Sequence, residues 1–314
     1  MKIVYITGCL GFIGSHLTRK CLNLGWYVRG VDKMTYASNK ELLLEFNQFS
    51  NFIFEERDIN DLKLLYDCDY FINVAAETHV DNSIVGSREF LKSNIDGVHN
   101  ILELLRSKNK YKIPTLLHFS TDEVYGDIVS GSHTEKDLLK PSNPYSATKA
   151  AADMLIKAWN RSFNIPYIIV RPTNNYGIGQ YVEKLIPRAC KFIKLKRKLP
   201  LHENGTPIRT WLHVSDTINA VTKIIQSNRV NEIYNISGNY EESNINIIHK
   251  ILNIKFGTDY NINDFVDFSY SRPGQDVRYS IDDSKLKSLD WKNQSVFDSE
   301  LPSIIKYYDE KFIW

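Results

Sequence analysis

Thr121-Asp122-Glu123 and Tyr145-x-x-x-Lys149 are the residues of this 314-residue chain best suited to do chemistry. The apolar run Thr115-Leu116-Leu117-His118-Phe119 leads into the triplet, so the triplet is expected at the end of a buried strand. In an open parallel sheet, ligands lie beyond the carboxyl ends of the strands, which puts two adjacent carboxylates and a hydroxyl where a substrate would sit. Tyr145 and Lys149 are one helical turn apart, so the ammonium can lie beside the phenol. A free tyrosine has a pKa of about 10, and an adjacent cation favours the phenolate. Tyr145 is therefore a candidate base for removing a hydroxyl proton while hydride leaves the same carbon. Each fragment alone has a structural explanation, as a helix-face pair or as a turn with a cap. A dinucleotide site elsewhere in the chain gives them a joint meaning.

The elements that must position these residues begin with Lys2 to Thr7, a short β-branched run read as the first strand. Gly8-Cys9-Leu10-Gly11-Phe12-Ile13-Gly14 follows, and Ser15 to Leu24 has helical periodicity. Strand, three glycines and helix form a dinucleotide fingerprint: backbone must approach a pyrophosphate, and the helix N-terminus supplies partial positive charge. Asp32 ends a second strand, Trp26 to Val31, where an acid accepts from the adenosine ribose hydroxyls. A carboxylate there repels a 2′-phosphate, so NAD is expected rather than NADP. Phe52-Ile53-Phe54 is a third strand leading to Asp58-Ile59, candidates for the adenine. Asp69 to Ala75 is a fourth, ending in the small pair Ala75-Ala76, which lets backbone approach the cofactor. A long amphipathic helix is expected from about Val85 to Leu105, then the fifth strand into Thr121. Tyr167 to Val170 is the sixth strand, with Arg171-Pro172 breaking the pattern.

Beyond it the alternation is less regular. Asn174-Asn175-Tyr176-Gly177 reads as a turn with two amides, and Glu183-Lys184-Leu185-Ile186-Pro187 opens a helix. Val214 to Gln226 is helical, Glu232 to Ile236 is a strand returning to the main sheet, and the rest, to Trp314, is mixed helix and loop. The fold class expected is α/β: a Rossmann-type doubly wound parallel sheet with a smaller mixed α/β substrate-binding domain. Residues 1–172 with about 212–238 would form the NAD-binding domain, and 173–211 with 239–314 the second. Past Lys149 the helix continues through Ala150, Ala151, Met154, Leu155 and Trp159. Its small-residue face packs either against a second subunit, giving a homodimer, or within one chain.

The net charge of +2 gives no bulk electrostatic case for a nucleic-acid or membrane partner. The run Lys191 to Lys198 alternates with apolar residues and reads as a helix with a solvated face. Cys9, Cys21, Cys68 and Cys190 have neither metal spacing nor a paired framework, so no metal site and a reducing compartment are expected. Met1 to Ile6 runs straight into the glycine motif, leaving no signal peptide, and no apolar run approaches the roughly 20 residues of a membrane span. A soluble cytoplasmic protein is the expectation.

Taken together, these motifs resemble the extended short-chain dehydrogenase/reductases, and within them the nucleoside-diphosphate-glucose 4,6-dehydratases. The resemblance covers nearly the whole chain: Thr7-Gly8-x-x-Gly11-Phe12-Ile13-Gly14, Asp32-Lys33-Met34-Thr35-Tyr36, Ala75-Ala76-Glu77-Thr78-His79-Val80-Asp81, Ser120 to Asp127, Tyr145-Ser-Ala-Thr-Lys149, Asn174 to Gly177, Glu183 to Pro187 and Arg272-Pro273-Gly274. Asp122 discriminates most, since related epimerases lack the carboxylate pair and GDP-mannose dehydratases resemble Thr-Ser-Glu.

The resemblance implies that Tyr145, assisted by Lys149 and with Thr121 holding the C4 hydroxyl, takes that proton as NAD accepts hydride. Glu123 would then remove the C5 proton and Asp122 protonate the departing C6 hydroxyl. It also assigns Lys33, Thr35, Ser93 and Asn175, with Tyr145 and Lys149, to the cofactor. Thr78, Asn174, Lys184, Leu185, Pro200, His202, Arg209, Asn244 and Arg272 go to a nucleotide-sugar substrate. The segments 32–58 and 127–144, and the one before Ala75, look short for the bacterial dTDP-glucose enzymes. His79-Val80-Asp81-Asn82-Ser83 looks more like the UDP-glucose domains, which favours UDP slightly over dTDP. The alternatives are a sugar-nucleotide 4-epimerase, with no use for Asp122, and a non-catalytic NAD-binding module.

Overall fold

Alternate residues of each short apolar run go to opposite faces, and this period of two builds a sheet buried on both sides. The structure is a computed structural model that describes residues 1–110 and 112–311. Its strands are β1 (Ile3–Thr7), β2 (Tyr27–Asp32), β3 (Phe52–Glu56), β4 (Tyr70–Asn73), β5 (Thr115–Phe119), β6 (Tyr167–Pro172), β7 (Asn174–Tyr176), β8 (Leu199–Pro200), β9 (Ile208–His213), β10 (Glu232–Ile236), β11 (Tyr240–Ser243) and β12 (Val266–Asp267). The main sheet has seven strands in the order β10-β6-β5-β4-β1-β2-β3, all parallel. Its order reverses beside β1, the switch point where a doubly wound sheet opens a crevice for a dinucleotide.

Val4, Ile6, Leu117, Ile168 and Val170 point to one face, where they meet Leu17 of the helix Phe12–Asn23 and Val221 and Ile224 of the helix Val214–Gln226. Tyr5, Leu116, Tyr167 and Ile169 point to the other, against Ile101 and Leu102 of Gly97–Arg106 and Ala152 and Ile156 of Pro144–Phe163. Helices on both faces are the α/β arrangement expected from the sequence. A separate apolar cluster joins Ile186, Trp211, Ile247, Ile251, Leu301 and Tyr308 around the small sheet β11-β9-β7. Leu286 and Trp291, late in the chain, return to the core of the main sheet.

Several elements differ from expectation. The single helix expected over 85–105 is broken: Val80–Val85 ends at Gly86, which is extended (φ −159°, ψ 99°), and helical structure resumes at Arg88–Leu91. It continues through a π-helical turn, Lys92–Asp96, into Gly97–Arg106. Val85 is 91% exposed, so no burial rewards a continuous helix there. Asn174–Tyr176 is a strand paired in parallel with β9, not a turn, and Gly177 (φ +148°) ends it. β6 runs through Arg171-Pro172, with Pro172 in register opposite Ile236 and Thr173 N donating to the Ile236 carbonyl. The lysine run is helical only as far as Lys194, and Lys196 takes φ +53°. Trp314 lies outside the described residues. Among the described residues, no helix is long and apolar enough to cross a membrane.

Candidate active site

The glycine motif forms the floor of the switch-point crevice. Gly8 sits at φ +68°, and a Cβ on it would lie 2.8 Å from Ala75 N. A Cβ on Gly14 would lie 1.9 Å from the Gly8 carbonyl oxygen, so the first helical turn packs directly on the loop. Gly11 caps the helix Phe12–Asn23, whose first N–H groups open toward the crevice. Asp32 is buried at the end of β2, accepting from Leu10 N (3.0 Å), Met34 N (2.8 Å) and Ser38 Oγ (2.7 Å). A carboxylate has about four acceptor sites, so these three bonds leave room for a ribose hydroxyl. Lys33 Nζ donates to Ser93 Oγ at 3.1 Å and lies 3.9 Å from Asp58. Burial works to raise the Asp58 carboxyl, but the Asn60 N–H groups and Lys33 outweigh it and hold it low.

Gly8, Gly11, Phe12, Ile13, Gly14, Asp32, Lys33, Thr35, Asp58, Ile59, Ala75, Ala76, Ser93, Tyr145 and Asn175 all line one cavity of about 300 Å³. Thr121, Asp122 and Glu123 line the same cavity. A second cavity of about 190 Å³ shares Thr78, Glu123, Asn174, Asn175 and Lys184 with the first, so the two are continuous. Leu185, Pro200, His202, Arg209, Asn244 and Arg272 line this second part. The fit for NAD thus rests on a glycine loop in which a Cβ at Gly8 or Gly14 would strike backbone, and on an acceptor-rich acid at the end of β2.

The triplet is held by its own turn. Thr121 accepts from Glu123 N at 3.3 Å, and the turn Asp122–Tyr125 ends at Gly126, φ +80°. The Tyr125 hydroxyl donates to Asn235 Oδ1 (2.8 Å) and accepts from Arg171 (2.6 Å), whose guanidinium also pairs with buried Asp153 at 2.9 Å. Asn143 caps the following helix through Ser146 N and places Pro144 at its first position. The Asn143 amide also donates to Glu123 Oε2 at 3.3 Å.

Burial, then the neighbouring Glu123, pushes the Asp122 carboxyl up to about 7. Its Oδ1 accepts from the Thr121 hydroxyl at 3.1 Å, and its buried Oδ2 has no hydrogen-bond partner among the described residues. Burial also holds Glu123 above the usual carboxylate range, an effect that Arg209, the Asn143 amide and Lys184 offset only in part. The pair is therefore asymmetric, with the proton favoured on Asp122 and the charge on Glu123.

Lys149 is placed differently from the sequence reading. Its ammonium donates to the Phe119 carbonyl at 2.5 Å and lies 3.4 Å from His118 Nε2, behind the cavity wall rather than on it. A strand-end carbonyl and an imidazole satisfy it there, and burial lowers it to about 8. Burial, with Glu123 and Asp122, holds the Tyr145 phenol above its usual range against the Thr121 hydroxyl, so this residue is a phenol and not the expected phenolate.

Other expected ligands are occupied by protein. Arg272 pairs with Asp81 at 2.6 Å, and Arg209 donates to the carbonyls of Ile208 (2.7 Å) and Asp276 (3.2 Å). Lys184 donates to both oxygens of Thr78, and Asn175 Oδ1 accepts from Thr217 at 2.6 Å. Asn174 Oδ1 is buried without a partner among the described residues. Sequence reasoning missed His118, Asn143, Asp276 and Tyr279; of these, only Asn143-Pro144 carried a readable signal, as a helix start.

The crevice, the glycine cradle and the carboxyl pair define a short-chain dehydrogenase/reductase of the extended type. The chain belongs to the GDP-mannose 4,6 dehydratase family, whose profile matches residues 5–303. It is 37% identical to a dTDP-glucose 4,6-dehydratase of Haemophilus influenzae, over 98% of each chain. A dTDP-glucose 4,6-dehydratase of Streptomyces venezuelae, solved with NAD bound, superposes with a TM-score of 0.91 at 33% identity, covering 98% of this chain and 97% of that one. A UDP-glucuronic acid 4-epimerase of Bacillus cereus, solved with UDP-glucuronic acid and NAD, reaches 0.90 at 26% identity, over 98% and 99%. Shape alone thus does not separate dehydratase from epimerase; the residues after β5 must.

Gly14→Ala is expected to leave the fold intact but weaken NAD binding by roughly tenfold or more, because the cradle must open to admit the methyl group. NAD released on denaturing the purified protein measures this, and an unchanged content would contradict the assignment.

Proposed function

We infer that this chain is an NAD-dependent nucleoside-diphosphate-glucose 4,6-dehydratase, converting UDP-glucose or dTDP-glucose to the 4-keto-6-deoxy sugar nucleotide. The observation that carries the reading is the buried, asymmetric Asp122–Glu123 pair. An epimerase inverts one carbinol and has no task for it.

When bound, NAD supplies the acceptor for hydride from C4 and its later donor to C6, and its oxidised ring brings the positive charge that draws the Tyr145 phenol down. Gly8, Gly11, Gly14, Asp32 and Lys33 would hold it, while Lys149 stays on the Phe119 carbonyl behind the cavity wall. Once it has lost its own proton to solvent, Tyr145 as the phenolate receives the C4 hydroxyl proton while Thr121 holds that hydroxyl. Glu123 takes the C5 proton, which the new 4-ketone makes acidic. Asp122 gives its proton to the C6 hydroxyl, which leaves as water. Two carboxyls in opposite protonation states thus run base and acid steps across one bond. Lys184, Arg209 and Arg272 are the cations for the diphosphate; Arg272 would exchange Asp81 for a phosphate. In this reading 1–172 with about 212–238 carries the cofactor and 173–211 with 239–314 the sugar nucleotide, while Leu286 and Trp291 tie the second unit to the first.

We also propose a homodimer through the helix Pro144–Phe163, where Met154 is 55% exposed. Light scattering at micromolar concentration should give twice the chain mass; a monomer would contradict it.

The activity test uses each sugar nucleotide in deuterated water without added NAD. NMR is expected to show a C6 methyl with deuterium at C5, and the faster substrate identifies the base, for which 79–83 favours UDP. Galactose signals without loss of water would make the protein an epimerase, and no change despite bound NAD would make it a binding module. Product formation is expected to fall as pH rises through about 7, because Asp122 then loses the proton it must donate. Asp122→Asn should cut it roughly 100-fold or more, as loss of a general acid does.

A further inference from the structure

Two buried residues beside Glu123 have no task in this scheme. The Tyr279 hydroxyl donates to Asp276 Oδ2, as does the Ser142 hydroxyl. The same Tyr279 oxygen lies 3.4 Å from Glu123 Oε2. Tyr279 is 3% exposed and Asp276 5%, so bulk water does not substitute for either partner. The Arg209 guanidinium covers the Tyr279 ring at 4.5 Å and donates to the Asp276 carbonyl, while Thr210 Oγ1 donates to the Tyr279 carbonyl at 3.2 Å. Ring and backbone are thus fixed from two sides.

A phenol has one proton to give. Here it goes to Asp276, so a lone pair of the Tyr279 oxygen meets Glu123. That lone pair repels a carboxylate and accepts from a carboxylic acid, which favours the state of Glu123 that has gained a proton. Charge acts in the same direction, since Asp276 adds to the rise that burial imposes on Glu123. Of the other ionisable groups facing Glu123, Arg209 and Lys184 oppose this rise, and Asp122 and Tyr145 share its pocket.

We propose that Asp276, acting through the Tyr279 hydroxyl, is a positioning residue that makes Glu123 strong enough to take the C5 proton. The proposal rests on the dehydratase reading. As Glu123 gains that proton, its new O–H donates to the Tyr279 oxygen, whose own proton stays toward Asp276. The relay moves no charge and leaves no buried donor unpaired. Oxidation at C4 does not use Glu123, so the two halves of the turnover can be separated.

The test follows Asp276→Asn and Tyr279→Phe during turnover, reading product by NMR and reduced cofactor by its near-ultraviolet absorbance. Product formation is expected to fall about tenfold or more in both, the lower end of general-base effects being larger still. Reduced cofactor should accumulate above its wild-type level, because C4 is still oxidised while C5 waits. In Asp276→Asn the acid limb of the pH profile should also move to lower pH, since Glu123 loses a nearby negative charge. A parallel loss of cofactor reduction and product with an unmoved acid limb would overturn the proposal, as would wild-type rates in both variants. If the wild-type protein itself never reduces its cofactor, the dehydratase reading fails first, and that result is distinguishable from the others.

Discussion

Asp122 and Glu123 are neighbours in the chain, and the end of β5 withdraws the first from water and half-buries the second. Two carboxylates that close, in a medium of low dielectric, cannot both ionise cheaply. One must keep a proton, and which one is decided by what the rest of the chain puts beside each. Lys184 and the Asn143 amide attend Glu123, and Arg209 acts on both carboxyls, whereas the Asp122 side chain has the Thr121 hydroxyl and, among the described residues, a buried oxygen without a partner. The local fold thereby fixes an acid and a base at adjacent positions.

That arrangement requires a turn that does not relax. Gly126 at φ +80° ends it, and a Cβ there would lie 2.4 Å from the Lys140 carbonyl oxygen. Tyr125 is held between Asn235 of β10 and Arg171 of β6, and Arg171 is neutralised by Asp153 on the helix that carries Tyr145. One buried network therefore ties the carboxyl-bearing turn, the edge of the sheet and the Tyr145 helix together. Breaking a buried ion pair of this kind typically costs about 3–5 kcal/mol, so the network also couples site geometry to stability.

Much of this was legible in the sequence because it is local. The short apolar runs from Lys2 to Thr7 and from Thr115 to Phe119 announce strands, and three glycines between a strand and a helix announce a cradle. The carboxyl pair is visible because it follows a strand directly. Partners are not local, and that is where the reading failed. One helical turn suggested Tyr145 as the neighbour of Lys149, but the Phe119 carbonyl and His118 reach the ammonium from the sheet. Asp276 and Tyr279 approach Glu123 from more than 150 residues along the chain, with nothing at either end to betray the contact. Asn174–Tyr176 is too short for any periodicity, and only its pairing with β9 makes it a strand.

The central claim is that Asp122 holds a proton while Glu123 beside it does not. Difference infrared spectroscopy of wild type against Asp122→Asn tests it most directly, through the carbonyl stretch of a protonated carboxyl group. A band present at pH 6 in the wild type, absent from the variant and titrating away with a midpoint of about 7, is the expected result. No such band at pH 6, or one that survives in Asp122→Asn, would contradict the account.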